Sequence, residues 1–354
     1  MNYAPTATRV EKVVAPGEFT FATAFLDHGH IYGQMNGLIE AGGECRWVYD
    51  PQPERARAFA ERYAGVKIAD SLEQILEDPE VRLVSAAAVP SERAGIGFRV
   101  LRAGKDYFTD KSPFTTLEQL AEARKVVAET TQKYLCYYSE RIHTEAGFYA
   151  GELIREGAIG EVLQILNMAP HNLAKGSRPD WFFEKEKYGG IITDIGSHQF
   201  EQFLTYAGAG GGTVNFARVE NFGNPDQPGL EDFGEASLTL DTGASCYCRI
   251  DWFNPAGLRS WGDGRTFVLG TKGTIEVRKY IDLTTEPAES QVIYLVDGEK
   301  EKRIPCAGKV GFPFFGNLIL DVLNRTENAM TQKHCFKAAE LAMEAQVLAD
   351  HRNA

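Results

Sequence analysis

Asp194 and His198 lie four residues apart in "YGGIITDIGSHQFEQFL", where two glycines precede an apolar helical pattern. Residues at this spacing share one face of an α-helix, so the carboxylate can orient the imidazole and raise its basicity. An imidazole, whose ordinary pKa is about 6.5, suits a general base. Because solvated surface pairs show the same spacing, the motif is typical of either a catalytic pair or an exposed one.

The segment "FATAFLDHGHIYGQMNGLIEAGG", from Phe21 to Gly43, predicts a buried strand, a polar turn and a helix. A dinucleotide-binding fold keeps its G-x-G-x-x-G loop here, but Asp27 and Tyr32 stand at two of the three glycine positions. We expect Tyr32 to widen the spacing between strand and helix. Asp27 would repel phosphates, so we expect it to turn away, as a helix cap does, or the cofactor to sit differently. Three residues would present backbone N–H groups to a pyrophosphate: Gly29, His30 and Ile31.

Asp50 ends the second predicted strand, "CRWVYD". A carboxylate in this place accepts hydrogen bonds from the ribose diol of NAD, whereas the 2′-phosphate of NADP would meet its negative charge. No arginine directly follows Asp50 in "YDPQPERA" to compensate. The sequence therefore predicts NAD as the cofactor.

Lys111 follows a further predicted strand in "DYFTDKSPF". Ligands bind at the carboxyl ends of the strands in a doubly wound sheet, so a lysine there is a proton partner near the nicotinamide half of a dinucleotide. The alternative is an ordinary exposed lysine, which position alone favours.

His28 and His30 flank Gly29, and imidazoles are common metal ligands. No carboxylate or cysteine stands beside them at a familiar spacing, so we predict that one histidine covers the cofactor, that the other packs, and that no metal binds. The six cysteines are scattered, and only Cys246 and Cys248 lie close together, on one face of a predicted strand. We expect reduced packing residues rather than a metal site or a disulfide.

Short apolar runs alternate with helical patterns between Phe19 and Tyr138, which indicates a parallel sheet with helices on both faces. The later part of the chain carries period-two runs broken by Gly, Asp and Pro, as a large antiparallel sheet does. The predicted fold class is α/β, with an N-terminal Rossmann doubly wound parallel sheet and a C-terminal α+β domain with a large, mostly antiparallel sheet. The predicted division is an N-terminal extension (1–18), an NAD-binding Rossmann domain (19–138) and a substrate-binding α+β domain (139–354).

The chain has 354 residues, a formal net charge of −12 and 44% hydrophobic residues. The negative charge disfavours nucleic acid and a membrane surface as partners. No apolar run approaches the about 20 residues of a membrane span, and the first residues lack the apolar core of a secretory signal. We therefore expect a cytoplasmic protein that acts on a small molecule.

These segments together resemble the glucose-fructose oxidoreductase and myo-inositol dehydrogenase (Gfo/Idh/MocA) family over residues 19 to about 350. "LRAGKDYFTDKSP" is similar to the family's segment ending in Glu-Lys-Pro, with Asp110 for the glutamate and Ser112 for the proline. "GGIITDIGSHQFEQFL" is similar to its Gly-Gly, Asp, three residues, His motif, and "LIREGAIGEVLQI" and "FVLGTKGTIEV" also match. The resemblance implies a Rossmann domain, a domain on a large sheet, and NAD(P)-dependent oxidation of a sugar or polyol hydroxyl.

The resemblance also implies that Lys111 and His198 face the substrate hydroxyl beneath the nicotinamide, with Asp194 orienting or assisting them. Lys111 and Pro90 are further expected cofactor contacts. Pro90 lies in "VPSERAG", which lacks the Asn and His that usually follow the family's proline. This departure and the altered glycine loop bear on the affinity for the cofactor more than on the fold.

The segment "PHNLAKGSRPDWFFEKEKYGG" precedes the predicted catalytic helix and is rich in groups that suit hydroxyls and the apolar face of a sugar. The candidate substrate-binding residues are His171, Asn172, Arg178, Trp181 and Tyr188. The alternative is a loop that merely packs over the sheet.

We predict an NAD-dependent oxidoreductase that transfers a hydride between the nicotinamide and a hydroxyl of a sugar, a polyol or a sugar-derived compound. Two alternatives stay open: an NAD-retaining, redox-cycling lyase or glycosidase of the same family, and a non-catalytic sugar-binding relative. Because a broad sheet must be covered somewhere, we also expect a homo-oligomer, a dimer or tetramer formed through the large sheet.

Overall fold

The computed structural model describes residues 11–353, so residues 1–10 of the predicted N-terminal extension lie outside the described residues. The described chain forms two compact units. The first comprises residues 11–137 and Gly311–Cys335, and the second comprises Tyr138–Val310 and residues 336–353.

Strands and helices are named in chain order within residues 11–353. The strands are β1 (Thr20–Ala24), β2 (Glu44–Tyr49), β3 (Lys67–Ile68), β4 (Val81–Ala86), β5 (Asp106–Asp110), β6 (Tyr134–Tyr137), β7 (Val162–Pro170), β8 (Gly212–Glu220), β9 (Phe233–Leu240), β10 (Ser245–Asp251), β11 (Arg265–Gly270), β12 (Gly273–Arg278), β13 (Val292–Asp297) and β14 (Glu301–Pro305). The α-helices are α1 (His30–Glu40), α2 (Pro53–Arg62), α3 (Leu72–Glu77), α4 (Pro90–Arg102), α5 (Leu117–Thr130), α6 (Ser139–Ile142), α7 (Glu145–Arg155), α8 (Lys185–Tyr188), α9 (Ser197–Ala207), α10 (Pro313–Asn324) and α11 (Gln332–Asn353). Turns of 3₁₀ helix cover Lys175–Ser177 and Asp180–Phe183, and a π-helical turn covers Ile192–Gly196. Within residues 11–353, no helix has both the length and the apolar composition that crossing a membrane requires.

The first unit is built on a six-stranded sheet in the order β3-β2-β1-β4-β5-β6, in which every pair is parallel. This confirms the predicted doubly wound parallel sheet. Strands β1, β2, β4, β5 and β6 fall on the short apolar runs "FTFATAF", "CRWVYD", "VRLVSAAAV", "DYFTD" and "KYLCYY" of the sequence. Strand β3 has two residues and is too short to show a run. Since parallel strands end on one edge, the turns after β1, β2, β4 and β5 lie along the same edge of the sheet.

The second unit is built on an eight-stranded sheet in the order β14-β13-β12-β11-β7-β10-β9-β8. Within residues 11–353, β7–β10 is the only parallel pair of neighbouring strands in this sheet, which confirms a mostly antiparallel sheet. Cys246 and Cys248 are buried on one face of β10, and both thiols are free. Burial raises the pKa of Cys246 to about 12, so this thiol is protonated and behaves as a small apolar group.

Helix α10 lies in the first unit, although the sequence-based division assigned its residues to the second domain. Helix α10 packs against α1 of the same unit at Gly37, where an added Cβ atom would lie 2.3 Å from the ring of Phe315 in α10. The two helices therefore approach each other at a position where only a glycine leaves room.

Candidate active site

Asp110, the last residue of β5, is a fully buried carboxylate that several groups of the first unit share. Nδ1 of His28 lies 2.9 Å from its Oδ2, and Nδ1 of His30 lies 2.8 Å from its Oδ1. Arg93 lies 3.2 Å from Oδ2, and the backbone N–H of Lys111 donates to Oδ1 at 2.7 Å. One carboxylate thus joins the altered glycine loop to the segment that carries Lys111.

Arg93 of α4 fixes the backbone around Lys111. Its Nε donates to the carbonyl oxygen of Ala88 at 2.8 Å, and its Nη1 donates to the carbonyl oxygens of Lys111 and, at 3.0 Å, Ser112. Lys111 is only 7% exposed. The alternative of an ordinary surface lysine therefore does not describe this residue, since lysines are almost never buried without a reason.

The two histidine neighbours of Asp110 change the protonation of this cluster. Burial lowers the pKa of His28 to about 3, and the charges of His30 and Lys111 act in the same direction against Asp110. Burial alone would raise the pKa of Asp110, but the charges of His30 and Arg93 and the hydrogen bond with His28 outweigh it and hold that pKa well below its usual range. Near neutral pH, His28 is therefore neutral and Asp110 is ionised.

His28, His30 and Asp110 also place three possible metal-ligating atoms within 4.8 Å of one another. The sequence offered no carboxylate near the histidines, and the fold supplies one from 80 residues away. Arg93 is bonded to the same carboxylate, and the ammonium of Lys111 acts on His28. These cations oppose a divalent metal ion at this place, so the expectation of no metal remains our prediction.

Helix α1 begins beside this cluster, directly after Gly29. Gly29 has no side chain with which to cap the N-terminus, and the first turn carries no acidic residue, so no side chain of the helix start itself neutralises the partial positive charge there. Asp27, at the position of the first glycine, does not cap the helix either. Its Oδ1 accepts a hydrogen bond from Arg55 Nη1 of α2 at 2.5 Å.

Asp50 follows β2 at the next turn of the same sheet edge. Its Oδ2 accepts the backbone N–H of Leu26 at 2.7 Å, and its Oδ1 accepts that of Gln52 at 2.8 Å. Burial raises the pKa of Asp50, and the two backbone hydrogen bonds oppose that shift. The carboxylate is thus held at the edge of the sheet, where it retains lone pairs for the hydroxyl groups of a ribose.

The other loop residues are placed as follows. Tyr32 stacks on Phe59 of α2 at 5.4 Å between ring centroids, with Arg62 at 4.6 Å from its ring centre, so the residue at the third glycine position faces α2. Ile31 is fully buried, and Pro90 begins α4. A helix end without an acidic residue, a paired Asp27 and a held Asp50 are together a donor and acceptor set that fits a dinucleotide.

Asp194 and His198 both belong to the second unit and are 6% and 3% exposed, so they are not a solvated surface pair. His198 lies in the first turn of α9, whereas Asp194 lies in the π-helical turn Ile192–Gly196 that precedes it. The sequence predicted one continuous α-helical face. A π-helical turn is wider than an α-helical one, and such turns are frequent at functional sites.

Glu140 forms the centre of a buried polar cluster near His198 that sequence reasoning missed. Its Oε2 lies 2.5 Å from Nζ of Lys279 and accepts Nε2 of Gln199 at 2.9 Å, while its Oε1 lies 3.3 Å from Nε2 of His171. Burial would raise the pKa of Glu140, but Lys279, His171 and His198 hold it well below its usual range. A signal was present, since Glu140 closely follows "KYLCYY", an apolar run that predicts a strand, and a position after a predicted strand is the criterion that singled out Lys111.

Two of the predicted substrate-binding residues lie among aromatic rings of the second unit. His171 packs against Trp261 and Trp252 at centroid distances of 4.5 and 5.5 Å. The guanidinium of Arg178 lies over Phe182 at 4.5 Å and over Trp252 at 5.2 Å. Trp252 therefore joins both residues in one largely buried cluster of apolar faces and polar edges.

The remaining three predicted substrate-binding residues have different surroundings. Asn172 accepts the backbone N–H of Ala174 at 2.9 Å. The hydroxyl of Tyr188 donates to the carbonyl oxygen of Gly229 at 3.1 Å and accepts the backbone N–H of Glu231 at 2.9 Å, so it is engaged in the fold. The indole N–H of Trp181 is buried and has no acceptor among residues 11–353.

Two family models match this chain. One, described as an oxidoreductase family with an NAD-binding Rossmann fold, matches residues 21–139, and the other, described as the GFO/IDH/MocA C-terminal domain, matches residues 149–276. A crystal structure of an inferred oxidoreductase from Erwinia carotovora atroseptica SCRI1043 is 45% identical, with a TM-score of 0.90, and the match covers 94% of this chain and 99% of that chain. A levoglucosan dehydrogenase solved in complex with NADH and levoglucosan has a TM-score of 0.78 at 15% identity, with 95% and 98% of the two chains covered, which shows a common fold.

A D-xylose dehydrogenase of Paenarthrobacter nicotinovorans is 26% identical over 149 residues, which is 41% of this chain and 38% of that protein. A 1,5-anhydro-D-fructose reductase of Ensifer adhaerens is 23% identical over 273 residues, which is 75% of this chain and 77% of that protein. The match with the xylose dehydrogenase thus spans less than half of that protein.

Proposed function

Because this chain belongs to the Gfo/Idh/MocA family of oxidoreductases, we propose that it is an NAD-dependent dehydrogenase acting on a sugar, a polyol or a sugar-derived compound. One observation carries the proposal most: Asp194 and His198 are buried together in one helical segment of the second unit, at 6% and 3% exposure. Burying two ionisable side chains costs free energy, and a carboxylate one helical turn from an imidazole is an arrangement that general base catalysis uses.

Three residues divide the work in this proposal. His198 accepts the proton of the substrate hydroxyl, and Asp194 orients that imidazole. Lys111, which Arg93 and Asp110 hold by its backbone, stabilises negative charge on the substrate oxygen. The nicotinamide of the bound cofactor accepts the hydride. His171, Arg178 and the neighbouring tryptophans supply hydroxyl-binding groups and apolar faces.

We also propose NAD rather than NADP as the cofactor, because the Asp50 carboxylate offers acceptors to a ribose diol and repulsion to a 2′-phosphate. Arg55 Nη1 lies 4.0 Å from Asp50 Oδ1 but only 2.5 Å from Asp27 Oδ1, so this guanidinium neutralises Asp27 before it neutralises Asp50. Fluorescence titration with NADH and NADPH tests the preference. Tighter binding of NADPH would contradict it.

The function is tested with the purified protein, NAD⁺ and a panel of aldoses, anhydrosugars and polyols, with NADH followed by its absorbance. A dehydrogenase accumulates NADH in proportion to the substrate consumed. Denaturing extraction of the purified protein, followed by measurement of released NAD, is the companion experiment. Retained NAD with substrate conversion and no NADH would point instead to a redox-cycling lyase or glycosidase. Sugar binding without conversion would point to a non-catalytic relative. A cytoplasmic location is part of the same proposal.

A further inference from the structure

Asp27 and Arg55 form an ion pair between two turns of the same sheet edge. Asp27 stands in the turn between β1 and α1, and Arg55 lies in the first turn of α2, directly after the Asp50 turn. Arg55 Nη1 lies 2.5 Å from Asp27 Oδ1, and the two side chains are 32% and 15% exposed. The pair is therefore partly buried, at the loop that a dinucleotide-binding fold uses for phosphates.

The carboxylate partner of Arg55 is Asp27 rather than Asp50. The distance to Asp50 Oδ1 is 4.0 Å, and both oxygens of Asp50 already accept backbone N–H groups. Asp27 Oδ1, by contrast, lies within direct hydrogen-bond distance of the guanidinium. Arg55 therefore acts first on the charge of Asp27.

An uncompensated carboxylate in this turn would work against a phosphate group. The first turn of α1 carries no acidic residue, and Asp27 is the acidic residue that precedes the helix in sequence. The other carboxylate at this loop, Asp110, already has Arg93 and two histidines as partners. Two anions a few ångströms apart repel each other by several times the thermal energy in a partly buried setting. A guanidinium bonded to the carboxylate removes most of that repulsion.

We propose that Arg55 is a positioning residue for the cofactor, which masks Asp27 so that the altered glycine loop can bind a pyrophosphate. The ion pair then allows Asp27 to stand at the first glycine position of the loop without repelling the pyrophosphate. This inference rests on the proposed function, because it requires that the protein bind a dinucleotide.

The test is the dissociation constant of NADH, measured by fluorescence on the full chain with four variants. Arg55→Ala should raise the dissociation constant by about five- to tenfold, and Asp27→Asn should leave it unchanged or lower it. In the Asp27→Asn background, Arg55→Ala should raise the dissociation constant of NADH no more than the control variant Arg57→Ala does. The matched control is Arg57→Ala, which removes the same charge from the same helix, where Arg57 bonds Glu54.

A second set of measurements separates charge masking from other roles of Arg55. The loss in Arg55→Ala should be equal for NADH and NADPH and should shrink as salt is added, because salt screens the exposed carboxylate. Asp50→Asn should not rescue Arg55→Ala. If Arg55→Ala is unstable by thermal unfolding, Arg55→Gln replaces it, since glutamine removes the charge and keeps most of the side chain.

The outcomes distinguish the two proposals. Wild-type protein that binds neither NADH nor NADPH overturns the proposed function and this inference with it. Wild-type protein that binds NADH while Arg55→Ala has the same effect with and without Asp27→Asn overturns the inference alone. A loss confined to NADPH also overturns it and makes Arg55 a ligand of the 2′-phosphate.

Discussion

Lys279 and Glu140 form an ion pair inside the second unit, with Nζ of Lys279 2.5 Å from Oε2 of Glu140 and side-chain exposures of 0% and 3%. Lys279 directly follows β12, and Glu140 lies in α6, so the pair joins the large sheet to a helix. Its position next to His171 places this charge beside the proposed substrate site. Burying a charge costs free energy, and each of these two charges offsets the cost of the other only while both are present.

Removal of one partner of this pair should destabilise the protein strongly. Lys279→Met leaves Glu140 buried without its cation, and we expect the free energy of unfolding to fall by about 3–5 kcal/mol. Lys279→Met combined with Glu140→Gln should cost clearly less than Lys279→Met alone. Urea unfolding of the single and the double variant measures both losses of stability.

The control is Lys302→Met. Lys302 is 40% exposed and lies 3.8 Å from Asp297, so this substitution should change stability by under about 1 kcal/mol. Equal effects of the two lysine substitutions would contradict the prediction.

His28 should make the first unit lose stability on acidification. Its pKa is about 3 in the folded protein and about 6.5 when unfolded, so the unfolded chain takes up the proton first as pH falls. The contribution is fully present above about pH 6.5, is lost progressively below it, and stops changing below about pH 3. Between pH 7 and pH 5 the loss is about 2 kcal/mol. Urea unfolding at the two pH values should show a smaller difference for His28→Gln than for the wild type, and an unchanged difference would refute the assignment.

Gly37 should resist replacement by any larger residue. A Cβ atom there would lie 2.3 Å from the ring of Phe315, so Gly37→Ala should lower the free energy of unfolding by about 1–3 kcal/mol through overpacking. Gly95 is the matched control, because it also lies in a helix and a Cβ atom added to it would meet no atom within 4 Å among residues 11–353. Gly95→Ala should raise stability by about 0.5–1 kcal/mol. Thermal unfolding of both variants checks the contrast, and shifts of the same sign would count against the close helix contact.

His198→Asn should lower the rate of NADH production by roughly 10²- to 10⁴-fold and leave NADH binding nearly unchanged, because it removes the proposed general base. Lys111→Ala should lower the rate of NADH production at least as much, since it removes the cation that stabilises the alkoxide. Asp194→Asn should cost less, because the imidazole and the cation both remain. Near-normal turnover of the true substrate by His198→Asn would make Lys111 the candidate for the base.

The exposed face of the large sheet should bind a second copy of the chain. Along β11, Thr266 and Val268 are buried, whereas Phe267 and Leu269 are 38% and 44% exposed, and Val296 of β13 is 46% exposed. Adjacent exposed apolar side chains on a broad sheet are typical of a protein interface. Light scattering at micromolar concentration should find a dimer or tetramer, and Phe267→Lys should shift it toward the monomer. A monomeric wild type would contradict this expectation.

The elements of the fold could be predicted where burial is local and regular. The run "DYFTD" predicts a strand, and β5 spans Asp106–Asp110. Such a run is readable because all its residues are buried and the three between the two aspartates, Tyr107, Phe108 and Thr109, are aromatic or β-branched. β3, with two exposed residues, leaves no pattern, and the π-helical turn at Asp194 follows from packing of the segment rather than from its periodicity.

The sequence also singled out the candidate site residues, because Lys111, Asp50 and the Asp194 and His198 pair stand at strand ends or at helical spacing. Their partners were not. His28 and Asp110, Asp27 and Arg55, and Glu140 and Lys279 are each far apart in sequence and meet only when the strands and helices take their order in the fold. By itself, the sequence determined the two kinds of sheet and indicated which side chains at their edges are candidates for chemistry. The tertiary structure alone decided which charges neutralise each other, because that depends on distances between elements, which no local pattern records.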